Sequence, residues 1–345
     1  MRGDLEPNVS AAQHFKCCAD RKLLSSTNYL IGIVEKGTGK KFNSIKSQIG
    51  SLLLGGWLSN ERVSSLVHIY HATLRQAVAD QNISCALATI NYLSQIQFVT
   101  SKLTIGPLGG GEWPDQHALH IIDALNRSSV VTYGKTMGVE PPSTRRSDLM
   151  MEAVQKSFSV LSEIDTILYD ETISVVTDLV YFQSDQTTSG SSFNCLGLIG
   201  MNSITDEQNW TTALEMIVHE AAHQIVYNIM ADELLILNED VGKFKSSLRS
   251  DPRPLSGIFH AMVVLSRMIY VMSKLTHSEQ FREEGIQIIP ARNNARNIDS
   301  YHNKYFAVLE VIERNANLSK TGWEMVESSK KLASMKIDSD YIGIS

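Results

Sequence analysis

Long apolar runs are scarce in this chain of 345 residues. The most apolar stretch, "FHAMVVLSRMIYVM" at 259–272, is broken by Arg267 and is too short to span a bilayer. The opening "MRGDLEPNVS" has no apolar segment of the kind a secretory signal carries. Cysteine is also sparse. Cys17, Cys18, Cys85 and Cys195 make neither a disulfide framework nor a C-x-x-C zinc spacing. These shortages predict reduced thiols in a cytoplasmic protein with no membrane partner. Basic residues do not dominate: 31 Lys and Arg stand against 37 Asp and Glu, a net charge of -6. That balance argues against general nucleic-acid binding. The glycine- and lysine-rich "EKGTGKKF" lacks G-x-x-x-x-G-K-[ST] spacing and is not a phosphate loop. No internal repeat or long low-complexity tract is visible.

What remains is ordinary globular composition, with enough length for one large domain or two smaller ones. Apolar residues recur at helical spacing from Asn60 to about Val99. "GPLGGGEWPD" at 106–115 is a strong breaker, either a lid anchored by Trp113 or a plain turn. A helix follows at 117–125. The loop "GVEPPSTRRSD" at 138–148 is the best domain boundary, and Ser147 or Asp148 then caps a helix running to about Ile164. Segments 172–182 and 193–202 read as strands, with "QSDQTTSGSS" between them as a hairpin loop. Helices are expected at 206–231, 256–275, 299–314 and 321–334. The fold class is therefore mostly α with a small β-sheet (α+β), around a helical metal-binding core. Residues 1–140 form a helical N-terminal region with a possible role in peptide recognition. Residues 141–345 form the metal-binding catalytic region.

The chemistry-bearing motif is "VHEAAH" at 218–223, an H-E-x-x-H box. Thr205 and Gln208 have the spacing of a capping box, and Asp206 and Glu207 suit the positive end of a helix dipole. Four residues on one helix separate His219 from His223, so their imidazoles lie on one side and can share a divalent cation. The alternative is a pair of core histidines. In a zinc peptidase Glu220 is the general base. A metal needs a third ligand. The H-x-x-G-x-x-H extension is absent, with Val226 and Ile229 in its places. Glu233 and Glu239 are available but close. His260 is favoured, because Gly257 one turn earlier leaves room for close approach. His68 with His71, and His117 with His120, are weaker pairs. Tyr227, Asn202 and Ser203 are further candidates for the site.

"ALEMIVHEAAHQIVYN" followed by "LRSDPRPLSGIFHAM" resembles the H-E-x-x-H peptide-modification proteins of ribosomal-peptide pathways. That family comprises iron(II)- and 2-oxoglutarate-dependent peptide β-hydroxylases. The resemblance covers roughly residues 170–275 and rests on H-E-x-x-H together with a later R-P-L-x-G-x-x-H. It implies that His219, His223 and His260 hold iron, that 2-oxoglutarate is the co-substrate, and that a precursor peptide is the partner. Arg253 matches the arginine of the second segment. A planar guanidinium suits the far carboxylate of 2-oxoglutarate, with Arg249 as second choice; Arg267, two helical turns after His260, is a more distant candidate for lining the pocket. In such an oxygenase there is no water to activate, and the roles open to Glu220 are orienting a ligand or binding a metal-bound water. A zinc-dependent peptidase or amidase, and a binding protein with a structural metal, are the competing readings. Oligomeric state is not legible.

Overall fold

In a computed structural model the described residues are 3–55, 61–110, 113, 115–133, 136, 138–206, 208–239, 242–246, 249–284, 288–289 and 299–337. Twelve helices and small sheets account for their regular structure, so the chain is mostly α with a small β component. The first half contains α1 (Val9–Thr38), α2 (Asn43–Leu54), β1 (Arg62–Val63), α3 (Ser65–Ala79), α4 (Ile83–Leu93), β2 (Val99–Thr100), β3 (Thr104–Pro107) and α5 (Asp115–Tyr133). Then come α6 (Thr144–Ile164), α7 (Thr166–Val175), β4 (Asp178–Phe182), β5 (Ser189–Gly190), a 3-10 turn (Phe193–Cys195), β6 (Leu198–Asn202) and α8 (Trp210–Met230). The remainder is β7 (Phe244–Ser246), β8 (Arg249–Arg253), α9 (Leu255–Thr276), α10 (Glu279–Glu284), α11 (Asp299–Asn315) and α12 (Lys320–Ala333).

The central sheet has the order β3-β4-β6-β5. β3 and β4 are parallel, β4 and β6 are parallel, and β5 runs antiparallel to β6 at the edge. Both faces of β4 are buried, which is why "LVYF" at 179–182 reads as a continuous apolar run. Side chains alternate across the sheet as the pleat requires. Leu179, Tyr181, Ile199 and Met201 join the core that α6, α8 and α9 complete. Val180, Phe182 and Leu198 face a second core with Ile69 of α3, Trp113 and Ile121 of α5. A third cluster lies among α1, α3 and α4. β3 comes from the N-terminal region and β4 from the C-terminal one, so the loop at 138–148 joins regions that share one sheet.

Several boundaries differ from the sequence reading. Residues 172–175 are the last turn of α7, not strand, because Asp165 caps that helix by accepting from Leu168 N at 3.0 Å. The segment 183–197 is not a hairpin: it carries the chain across so that β6 pairs parallel to β4. α6 starts at Thr144 on a Ser143 cap, earlier than Ser147 or Asp148 allow. The 60–99 region is α3 and α4 with short strands at either end. Trp113 is 1% exposed and packs under Gly106, so it is a core anchor.

α9 is longer than its apolar stretch suggests. Its 22 residues are long and apolar enough to cross a membrane, yet 78% of its apolar window is buried inside the protein. It packs against α8, α11 and α12 as the central helix of the C-terminal half. Arg267, read as a remote pocket candidate, instead sits in this interior. It pairs with buried Glu171 of α7 and donates to Leu5 O at 2.9 Å. A second buried set links α1 to α3: Asp20 pairs with Lys16 and with His68 Nε2 at 3.0 Å, and accepts from Val63 N at 2.9 Å. Burial opposes ionisation of Asp20, but Lys16 and His68 outweigh it and hold the carboxyl below its usual range.

Removing one partner of a buried ion pair leaves an uncompensated charge. Arg267→Met should therefore cost about 3–5 kcal/mol in urea unfolding. Arg267→Met with Glu171→Gln should recover much of that, since glutamine still accepts from Asn8 N, now 2.9 Å from Glu171. Equal losses in the two variants would show that the ion pair is not what matters there.

Candidate metal centre

α8 begins four residues later than the capping-box spacing implies. Thr205 and Gln208 do meet, with Thr205 N donating to Gln208 Oε1 at 3.0 Å, but they close a turn ahead of the helix. Asn209 is the cap, accepting from Thr211 N at 2.9 Å. The helix is then fixed to the sheet by buried Gln224. Its Oε1 accepts from Gly197 N at 2.9 Å and its Nε2 donates to Leu198 O at 2.8 Å. Gly197 has φ +90, and a Cβ there would meet Thr177 Oγ1 at 2.5 Å, so only glycine fits this crossing. Gln224 follows His223 directly. The clamp therefore sets which way the histidine face of α8 looks.

That face looks toward α9. His219 and His223 are one turn apart, with ring centroids separated by 5.1 Å. His260 of α9 lies against His223, with centroids 5.3 Å apart and the two Nδ1 atoms 3.1 Å apart. The far nitrogen of His260, Nε2, lies 3.2 Å from Met230 Sδ. Tyr227 packs beside both rings, 6.0 Å from His223 and 4.9 Å from His260 by centroid, and Phe193 is 6.1 Å from it. Glu220 is buried, and Ser191 Oγ donates to its Oε2 at 2.6 Å. Its Oε1 is 3.9 Å from His219 Nε2.

The donor set can be tested against a cation. Two imidazole nitrogens about 2.1 Å from one ion, at an angle of roughly 90–110°, stand about 3.0–3.4 Å apart. The observed 3.1 Å falls in that interval. Without a cation the same spacing serves a single N–H···N bond between neutral rings, one donating and one accepting. Burial pushes the His260 pKa from the usual 6.5 to about 4, so its ring is neutral at pH 7, the form a metal requires. Among the described residues, no three His, Cys, Asp or Glu side chains stand as a ready ligand group. His223 and His260 thus form the preset pair, and His219 is the neighbour one turn away.

Arg253 ends β8 and leads through Pro254 into α9. A methyl group on Gly257 would lie 3.9 Å from both its Cβ and its Cδ. Its side chain therefore runs along the turn of α9 that precedes His260, and its Nη2 is shielded from solvent. Arg249 is at the other end of β8, opposite Ser246, and its side chain lies outside the described residues. Glu233 is half-buried and Glu239 exposed, in the segment after α8.

The other histidines have partners elsewhere. His71 Nε2 lies 2.9 Å from Ser26 Oγ, while His68 faces Asp20. His117 Nδ1 is 2.8 Å from Tyr70 OH, and His120 packs edge-on to Tyr70 and Tyr92. Asn202 holds the loop ahead of β5, donating to Ser184 O and Thr187 O. Ser203 is buried. Three neighbours of the histidines were not singled out from sequence: Ser191, Phe193 and Met230. Met230 was within reach of periodicity, since it follows His223 by seven residues on the same helix face. Ser191 and Phe193 lie in a Ser-rich connection with no periodic signal.

Comparison with protein-family models and with curated proteins returns no match.

His71 and His260 both have pKa values lowered from 6.5 to about 4 by burial. Below pH 6.5 the unfolded chain takes up protons that the folded chain refuses. Their contribution to stability is therefore complete above pH 6.5 and is lost as pH falls toward about 4. Urea midpoints of the metal-free protein should drop steadily across this window, and His71→Gln should flatten part of the drop. A midpoint constant from pH 7 to pH 4.5 would show that neither ring resists protonation.

Proposed function

We propose that this chain is an iron(II)- and 2-oxoglutarate-dependent peptide oxygenase that hydroxylates a side-chain β-carbon in a ribosomally made precursor peptide. The observation that carries the proposal is the 3.1 Å separation of His223 and His260 Nδ1, with His219 on the adjoining turn. The motif pair quoted above, H-E-x-x-H with R-P-L-x-G-x-x-H, supports it. His219, His223 and His260 would hold the iron. Bound together, the metal, 2-oxoglutarate and oxygen supply the oxidising power that replaces C–H by C–OH while the keto acid becomes succinate and carbon dioxide.

The chain's own residues do the positioning. His260 enters neutral and needs no proton removed before ligation. Arg253 offers a planar fork for the distal carboxylate of the co-substrate, from the turn that leads to His260. Glu220, held by Ser191, orients His219 as an outer partner instead of working as a base. Tyr227 and Met230 wall the ring pair and reduce water access. On this reading the enzyme acts in the cytoplasm, and residues 1–140 contribute to recognising the peptide.

A zinc peptidase or amidase is the second reading, and one observation favours it. Glu220 Oε1 lies 3.9 Å from His219 Nε2, so the carboxylate a hydrolase needs as base is next to a proposed ligand.

Anaerobic loading with iron(II), followed by 2-oxoglutarate and oxygen, should give succinate and a gain of one oxygen on a peptide. Peptide cleavage with zinc in the absence of 2-oxoglutarate would replace this reading by the second. His260→Ala should weaken iron binding by at least about tenfold, measured by competition with a chelating dye. Unchanged iron affinity in that variant would remove His260 from the ligand set. Arg253→Ala should raise the KM for 2-oxoglutarate at least about tenfold while leaving iron affinity alone. Glu220→Gln separates the two readings: it should spare much of the hydroxylation but abolish any hydrolysis.

A further inference from the structure

The chain between β5 and β6 passes directly along the histidines. Ser191 reaches Glu220, and two residues later Phe193 reaches Tyr227, which itself touches His223 and His260. Phe193 is 44% exposed, a large apolar ring left open beside a set that is buried at Glu220 and His260 and half-buried elsewhere. Tyr227 is half-buried and stands between that ring and the imidazoles. An aromatic wall therefore leads from solvent to the candidate metal centre.

The wall is continuous with the β5 edge of the central sheet. Among the described residues, β5 is the outermost strand of the central sheet and pairs with β6 alone. Asn202 N donates to Thr188 O at 2.7 Å, which places position 188 among the residues bonded to β6. By the alternation of antiparallel ladders, the peptide groups of Ser189 then point away from β6. The Ser189 carbonyl takes the Thr187 hydroxyl at 3.0 Å, and by the same alternation its N–H points away from β6. An extended chain lying beside β5 would be carried across Ser191 and Glu220, with one side chain falling on Phe193 and Tyr227.

We propose that Phe193 and Tyr227 form a side-chain subsite for an aromatic or large aliphatic residue of an extended peptide laid along β5. This rests on the peptide-modifying reading above and names the substrate feature that the site selects. Phe193 supplies the replaceable outer surface, whereas Tyr227 is backed by the histidines. The specificity should therefore follow residue 193.

The test uses the full-length, metal-free protein and a positional-scanning library of N-acetylated, C-amidated hexapeptides. Binding to wild type should show one position at which Phe, Tyr, Trp, Leu or Met is enriched about tenfold over Ser or Asp. Phe193→Ser should lose that enrichment and Phe193→Leu should keep most of it, with the unfolding midpoint unchanged because the ring is half open. No enriched position, or the same enrichment in Phe193→Ser, would overturn the subsite. Succinate production from 2-oxoglutarate, measured in parallel on iron-loaded protein, reports separately on the oxygenase reading. Peptide selectivity without succinate leaves the subsite standing and removes the oxygenase. Succinate without selectivity does the reverse.

Discussion

The contact between α8 and α9 is the constraint on which the site depends. It brings residue 260 against residue 223 and buries the later imidazole in an apolar surround. Burial suppresses protonation of that ring, and a neutral ring can sit 3.1 Å from another nitrogen without repulsion. Two protonated imidazoles at that spacing would repel and lack any acceptor between them. The burial that accompanies the packing of the helix pair also keeps the His260 ring neutral.

The helix pair is held from both sides. On the sheet side, Gln224 spends both ends of its amide on the backbone around the start of β6, so α8 cannot rotate about its axis without stranding buried polar groups. On the far side, Arg267 of α9 joins Glu171 and the Leu5 carbonyl, which ties the helix to α7 and to the N-terminal segment. Gln224 follows the histidine at 223 in α8, and Arg267 lies two turns beyond the one at 260 in α9. Each sets where they are, and each shows how an interior polar group can serve orientation more than net stability.

Much of the architecture was legible from residue pattern. The helices over 210–230, 255–276, 299–315 and 320–333 follow from apolar periodicity, and the boundaries differ by a few residues at most. The i,i+4 placement of His219 and His223 follows from helix geometry alone. His260 was singled out because a glycine one turn before it allows close approach, and the structure puts it beside His223. Misreadings cluster where local pattern is ambiguous. Thr172–Val175 is β-branched and apolar, yet the Asp165 cap makes it a helix end. Thr205 and Gln208 close a turn that the helix does not continue. Arg267 has the chemistry of a carboxylate binder and found its carboxylate inside the protein.

Composition, spacing and periodicity, read without any fold, settle the predominance of helix, the presence of a small sheet and the pairing of two imidazoles on one helical face. These are short-range consequences of backbone geometry and side-chain type. The parallel run of β4 and β6, the choice of Glu171 as partner for Arg267, and the company of Ser191 and Phe193 near the histidines came only from the packed chain. Each joins elements whose separation along the sequence carries no periodic signal. Their meeting depends on how faces of helices and sheet fill one another's space, and that information resides in no single segment.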